Sequence, residues 1–258
     1  MGRFLLLILI FLAAPVLAPY DPLQTNPTEA YGPPSLDHLF GTDQLGRDVL
    51  SRTLHGGQTS IVMALAATVG TFFVAGICAA LTVAVTSDSF LLRIVMYNNS
   101  ALRTIPTIIT ATAGATVLGA TPKAIIISTI ISQAPHTLQW IYERTEEIQK
   151  MPHIEGAKAI GATKSHIYRQ HIAPILLREA ATQTVLTAQI SLATITALTF
   201  LGFGTSIENP EWGALLREGR DAFRTAPWIA IAPGLCITLL STIALQQSTR
   251  ETQIKTQQ

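Results

Sequence analysis

The charged positions of this chain are bunched, and the tracts between them are long. No Asp, Glu, Lys or Arg occurs over residues 4–20, 53–87, 104–122, 124–142, 180–207 or 225–249. A helix crossing the hydrocarbon core of a bilayer needs about 20 largely apolar residues. Each tract is therefore read as one spanning helix, giving about six. The first is the shortest and holds Pro15 and Pro19. The second is too long for one helix and too short for two with a loop, so its helix is placed at 59–85. The run "IVMALAATVGTFFVAGICAALTVAV" is apolar on every side, whereas the core helices of water-soluble proteins carry a polar stripe. The pattern predicts an all-α integral membrane protein.

The connecting segments carry their own patterns. Residues 21–58 are Pro-rich at first and then amphipathic: Thr42 or Asp43 is a candidate N-cap, and Leu45, Val49, Leu50 and Leu54 recur at helical spacing. This predicts a short surface helix, with a solvated loop as the alternative. Residues 210–223 are expected to make a further helical turn. Segment 86–104 is expected at the membrane interface, and 248–258 as a polar tail. The five-helix part then runs over 59–247, and inside it lies the loop 143–178.

That loop is the most basic stretch of the chain. Pro152 suits a first helical turn, and 153–160 forms a short helix with Ile154, Ala157 and Ile160 on one side. Gly161 supplies a stop with positive φ, and Thr163 caps a second short helix over 164–172. Pro174 begins the return to the next span. Two short helices meeting at a glycine make a knob with an apolar ridge, the shape that docks in a groove on another protein.

Composition agrees with the pattern. Only 13% of the 258 residues are charged and 48% are hydrophobic, against about 25% charged in ordinary soluble domains, and the mean hydropathy is +0.39. A net charge of +1 gives no reason to expect nucleic acid. An N-terminus inside the cell puts 11 Lys and Arg in the inner segments and 6 in the outer ones, the bias that orients membrane helices. Both termini and the basic loop are then cytoplasmic. The first tract also has the outline of a signal peptide, with small residues at Val16 and Ala18, and the two readings stay open.

Several chemistries are missing. No Gly-x4-Gly-Lys-Ser/Thr occurs, so the chain has no phosphate-cradling loop of its own. No His-Glu-x-x-His or Gly-x-Ser-x-Gly occurs either. His153, His166 and His171 read as solvated surface histidines, and Cys78 and Cys236 as small core residues. The spans hold no ionisable carboxylate or amine to drive a proton or ion relay. Energy must then come from another chain.

Glu155-Gly156-Ala157, Gly161 and His171-Ile172-Ala173-Pro174 resemble the "EAA---G---------I-LP" loop of permease subunits of binding-protein-dependent ABC importers. "FGTDQLGRDVLSRTLHGG" and "FLGFGTSIENPEWGALLREGRDAFRTAPWIAIAPG" resemble the second permease type of the branch that imports dipeptides, oligopeptides or nickel. The likeness covers about residues 38–240. It implies the type I importer permease fold in the cell membrane of a prokaryote. It also implies a second homologous permease, two ATP-binding subunits and an extracytoplasmic solute-binding protein as partners, with ATP and Mg bound by those subunits and no cofactor or metal here.

By the same likeness Glu155, Gly156, Ala157, Lys158, Gly161, Lys164, Arg169 and Pro174 form the ATPase-coupling loop. Asp43, Arg47, Asp48, Glu211, Arg217 and Asp221 are candidates for outer contacts with the binding protein, or for ion pairs within those segments. Gln183, Thr187, Gln189 and Thr194 are candidates to line the pathway, or to pack helix on helix. Peptide import is the leading reading, with nickel or another small solute, or a non-transporting receptor or scaffold, as alternatives. Three positions depart from the pattern. Gly156 stands where alanine is usual, at a cost of about 1 kcal/mol in helix propensity; Ala173 replaces leucine; and Asn98 occupies a position where an acid is common. The tail also lacks the usual Gly-Asp-Gly-Leu-Arg-Asp.

Overall fold

Helices form where the charge-free tracts predict them, but their ends and faces differ from the expectation. The computed structural model describes residues 8–85, 99–204 and 210–256, and these contain helices and turns joined by a single isolated bridge, Thr42 to Asp48. Most of segment 86–104, including Asn98, lies outside the described residues. In chain order the helices are α1 (Ala14–Leu17), α2 (Val49–Val85), α3 (Thr107–Leu118), α4 (Pro122–Gln149), α5 (Pro152–Ala159), α6 (Lys164–Ile167), α7 (Ala173–Phe200), α8 (Trp212–Asp221) and α9 (Trp228–Thr256). Residues 8–12 are also helical and a turn at Ala13 separates them from α1, with Pro15 in its first turn.

The separate helix expected over 42–54 does not form. Asp43 instead folds the chain back on itself: its Oδ1 accepts the backbone N–H of Leu45 at 2.8 Å and of Arg47 at 3.0 Å. This carboxylate-to-backbone turn outcompetes a helix, as Asp side chains commonly do. The helix begins only at Val49, with the Asp48 carboxylate accepting from Ser51 N at 2.7 Å as its N-cap, and continues unbroken into the span.

Two helices among the described residues are long and apolar enough to cross a bilayer, Val49–Leu81 and Trp228–Gln246. Thr107–Leu118 is apolar but short, α4 and α7 are diluted by Ser, Thr and Gln, and in the long helices such residues share an orientation. In α4, Ser128, Thr129, Ser132, Gln133 and Thr137 are buried while Ile127 and Ile131 face outward. In α2, Thr68 and Thr71 are buried while Val69 and Phe73 are exposed, Val69 at 70%. In α7, Thr187, Ser191 and Thr199 are buried while Leu177 and Ile190 are exposed. Apolar exteriors around a hydroxyl- and amide-lined interior are the reverse of a water-soluble bundle. Apolar packing also contributes to the interior, where Ile61, Ala67, Ala115, Ile125, Leu198 and Trp212 meet in one cluster.

Candidate functional site

The basic loop is a folded knob with its own small core. Ile148, Ile154, Ile167 and Ile172 are buried against one another, joined by Met151, Ala157 and Ala162. The stop at the glycine is a Schellman motif: Gly161 N donates to Lys158 O and Ala162 N to Ala157 O, both at 3.0 Å, with Gly161 at φ +86°. Thr163 then caps the next turn, its Oγ1 accepting from His166 N at 3.3 Å. Beneath the knob Arg144 of α4 binds Glu179 of α7, Nη2 to Oε1 at 2.6 Å, so both helices leaving the knob are held together.

Two expectations for this knob change. The second short helix is not separate, because α6 passes through a π-turn, Tyr168–Ile172, directly into α7. Ala173 N reaches back five residues to Tyr168 O. The wider turn makes room for Pro174, whose ring has no N–H to give and would crowd an ordinary α-turn. The apolar ridge also divides: Ile154 and Ala157 turn inward, whereas Ile160 is 87% exposed at the tip, next to Gly161. Glu155, Gly156, Lys158, Arg169 and Pro174 are exposed around it. The three histidines, apart in sequence, come together on one side: His153 and His166 lie 5.9 and 6.2 Å from His171, ring centre to ring centre. Among the described residues no set of three His, Cys, Asp or Glu side chains is arranged to hold a metal.

At the opposite end, "GTDQLGRD" builds a cap tied to α8. Gly46 takes φ +71° against the Asn26 backbone, where a Cβ would come within 1.8 Å. The Asp43 carboxylate binds Arg47 Nε at 2.7 Å and also Arg52, and Arg52 continues to Glu218 on α8. Asp48 Oδ1 meets His38 Nδ1 at 2.9 Å, and the other ring nitrogen of His38 faces Glu29 at 3.2 Å. Burial alone would lower the pKa of His38, but the hydrogen bonds to Asp48 and Glu29 outweigh it and raise the value. Trp212, the first residue of α8, donates from its indole to Thr53 O at 2.9 Å and receives Phe11 edge-on at 5.0 Å.

Asp43, Arg47, Asp48 and Glu211 are thus buried within the cap. Buried side chains do not meet another protein unless the cap opens, so of the six outer candidates Arg217 and Asp221 are the ones with exposed or half-exposed side chains. Glu211 is only 1% exposed, its Oε2 has no partner, and burial pushes its pKa up to about 7. Sequence reasoning did not single out Arg52 or Glu218, because their pairing joins distant segments.

Of the pathway candidates, Thr187 and Thr194 are buried in the bundle and Gln183 and Gln189 are half-buried. Thr187 donates to Gln183 O at 2.9 Å. The polar seam they flank is centred on Ser191, whose Oγ lies 3.2 Å from Thr68 Oγ1 and 3.1 Å from Gln133 Nε2.

The profile of the binding-protein-dependent transport system inner membrane component matches residues 73–247. The chain belongs to that family. It is 33% identical over 91% of its length to a putative peptide transport system permease protein of Brucella suis biovar 1, of which the match covers 80%. It is 32% identical over 92% of its length to the glutathione transport system permease protein GsiD of Salmonella typhimurium, covering 78% of that protein. It is 29% identical over 90% of its length to the dipeptide transport system permease protein DppC of Alkalihalophilus pseudofirmus, covering 76%. An inner membrane component accounts for the apolar exteriors of α2, α4 and α7.

Proposed function

We propose that this permease is one of two homologous membrane subunits of an ATP-driven importer of short peptides, and that its knob, residues 152–172, couples the spans to a separate ATPase. Six spans, both termini in the cytoplasm and the "GTDQLGRD" cap on the outer face complete this reading. The inner placement of the knob follows from the distribution of Lys and Arg, and the peptide cargo from the names of the relatives. A solute-binding protein delivers the cargo to the outer face, where Arg217 and Asp221 are within reach. ATP closes the paired ATPases, draws the two knobs together and rocks the bundles as rigid bodies.

The observation that carries the coupling role is Ile160, 87% exposed at the tip of a knob whose other isoleucines are buried. Moving such a side chain into an apolar cleft contributes about 1.5–3 kcal/mol. Arg144 with Glu179 transmits the pull to α4 and α7 together.

The test is peptide-stimulated ATP hydrolysis by the assembled transporter in liposomes, with wild type, Ile160→Asp and Gly161→Pro. Both variants should lose the stimulation, and Ile160→Asp should release the ATPase during purification. Stimulation unchanged in both variants rules out coupling through this knob.

A further inference from the structure

His38 holds two acids at once. Its Nδ1 lies 2.9 Å from Asp48 Oδ1 and its Nε2 lies 3.2 Å from Glu29 Oε2. A neutral imidazole carries one N–H and one lone pair, so it can donate to only one carboxylate, whereas the doubly protonated ring donates to both. The geometry is that of the imidazolium. Three segments meet at this ring: the start of α2 brings Asp48, the 3₁₀ turn Pro27–Glu29 brings Glu29, and the chain after α1 brings Tyr20, whose ring packs on it at 4.9 Å. The Tyr20 hydroxyl turns away, donating to Asp37 O at 2.9 Å. Among the described residues neither Asp48 nor Glu29 pairs with Lys or Arg, and the neighbouring Arg47 is engaged by Asp43 and Glu218.

We propose that His38 is a proton-operated latch between a strap, residues 26–32, and the start of α2: protonated, it ties Glu29 to Asp48, and neutral, it lets Glu29 go. The two carboxylates are not equivalent, and their burial decides which contact breaks. Asp48 is 1% exposed and its other oxygen caps α2 through Ser51 N, while Glu29 is 50% exposed. A buried carboxylate left without its donor costs more than one that can turn to water. On losing a proton the ring therefore keeps its N–H on Nδ1, facing Asp48. Nε2 then presents a lone pair to the Glu29 carboxylate, and the two repel.

The strap loosens without unfolding. Asn26 N to Leu45 O at 3.0 Å, Tyr31 N to Asp43 O at 2.9 Å and Gly32 N to Thr42 Oγ1 at 2.7 Å do not involve the imidazole. These bonds lay the strap on the Asp43–Arg47 turn, so the latch sets how firmly that turn is covered. The direction follows from the proton: the latch is closed below the folded pKa of His38 and opens as pH rises through it. The ring is 16% exposed, so solvent protons reach it.

The experiment follows hydrogen exchange over 26–32 in the purified transporter in lipid nanodiscs, corrected for the intrinsic pH dependence of exchange. Measurements at about pH 5.5 and about pH 8.5 bracket the range in which histidines ordinarily titrate. Glu29→Gln is the comparison, because its amide can accept from an N–H or donate to a lone pair and so fits both states of the ring. Between the two pH values, protection should fall about two- to fivefold further in wild type than in Glu29→Gln, the scale of a half-exposed ion pair. Nitrogen NMR of histidine-labelled protein, with the His38 signal identified by its loss in His38→Gln, should show the neutral ring protonated on Nδ1. Equal falls in wild type and Glu29→Gln overturn the latch. So does a neutral ring protonated on Nε2, since Glu29 would then stay bound.

Discussion

Arg52 and Glu218 lie 166 positions apart and meet as a two-point pair, Nη1 to Oε2 at 2.6 Å and Nη2 to Oε1 at 3.1 Å. Arg52 and Asp43 are almost wholly buried. Removing one member of a buried set leaves the rest uncompensated, which typically costs about 3–5 kcal/mol. Because Glu218 is 25% exposed, Glu218→Gln is expected near the lower end, about 3 kcal/mol. Arg52→Lys should rescue little, since an ammonium cannot bridge Asp43 and both oxygens of Glu218 at once. Thermal unfolding of the purified transporter in detergent, followed by tryptophan fluorescence, measures both. A shift no larger than that of an ordinary surface pair would show that the cap is held by something else.

This pair marks the limit of what the sequence discloses. The knob was legible because its signals are local: Pro152 at a first turn, Gly161 at a stop and Thr163 at a cap each act within four residues. The cap was not, because its ties join distant positions. Helical spacing of Leu45, Val49 and Leu54 pointed to a helix from position 42, and the Asp43 carboxylate turned that backbone aside. The same limit applies inside the bundle. The polar residues of α7 were visible in the sequence, but their partners Thr68 and Gln133 sit on other helices. Ile160 was misplaced for a simpler reason: it lies at the C-cap of α5, where helical periodicity no longer fixes the direction of a side chain.

Glu211 gives the cap a pH dependence of known sign. Its folded pKa, about 7, lies above the ordinary 4.5, so the folded protein holds a proton that the unfolded chain has released. Stability therefore falls as pH rises from about 4.5 to about 7 and stays reduced above, by roughly 3 kcal/mol in all. His38, also raised, contributes in the same direction, its stabilisation being lost as pH passes its folded value. Glu211→Gln should remove only the carboxylate's share. The variant is expected to unfold at a higher temperature than wild type at pH 8 and at a similar temperature at pH 5. A wild-type unfolding temperature that rises over this range would contradict the assignment.

At Gly213, α8 lies directly against α7. A Cβ there would stand 2.0 Å from Thr199 Oγ1 and 2.2 Å from the Thr196 carbonyl oxygen. The carbonyl belongs to a helix and cannot step aside, so Gly213→Ala must lift α8, and with it Trp212 and its bond to Thr53. Overpacking of this kind costs about 1–3 kcal/mol. The expected readouts are a lower unfolding temperature and faster hydrogen exchange over 211–222. Normal exchange there would mean that the two helices separate without strain.

Gly156 and Gly161 offer a paired test of the knob, because a Cβ at either would meet nothing within 4 Å. Space is equal at the two sites, and conformation decides the sign. Gly156 is inside α5, where alanine is favoured over glycine by about 1 kcal/mol. Gly161 is held at φ +86°, where a Cβ costs about 1–2 kcal/mol. Gly156→Ala should therefore slow hydrogen exchange of the α5 amides by about fivefold, and Gly161→Ala should quicken it by about tenfold, on the scale of 1.36 kcal/mol per factor of ten. If docking needs a preformed knob, the first variant should bind the ATPase more tightly and the second more weakly. Opposite exchange effects with no change in binding would separate the stability of the knob from its use.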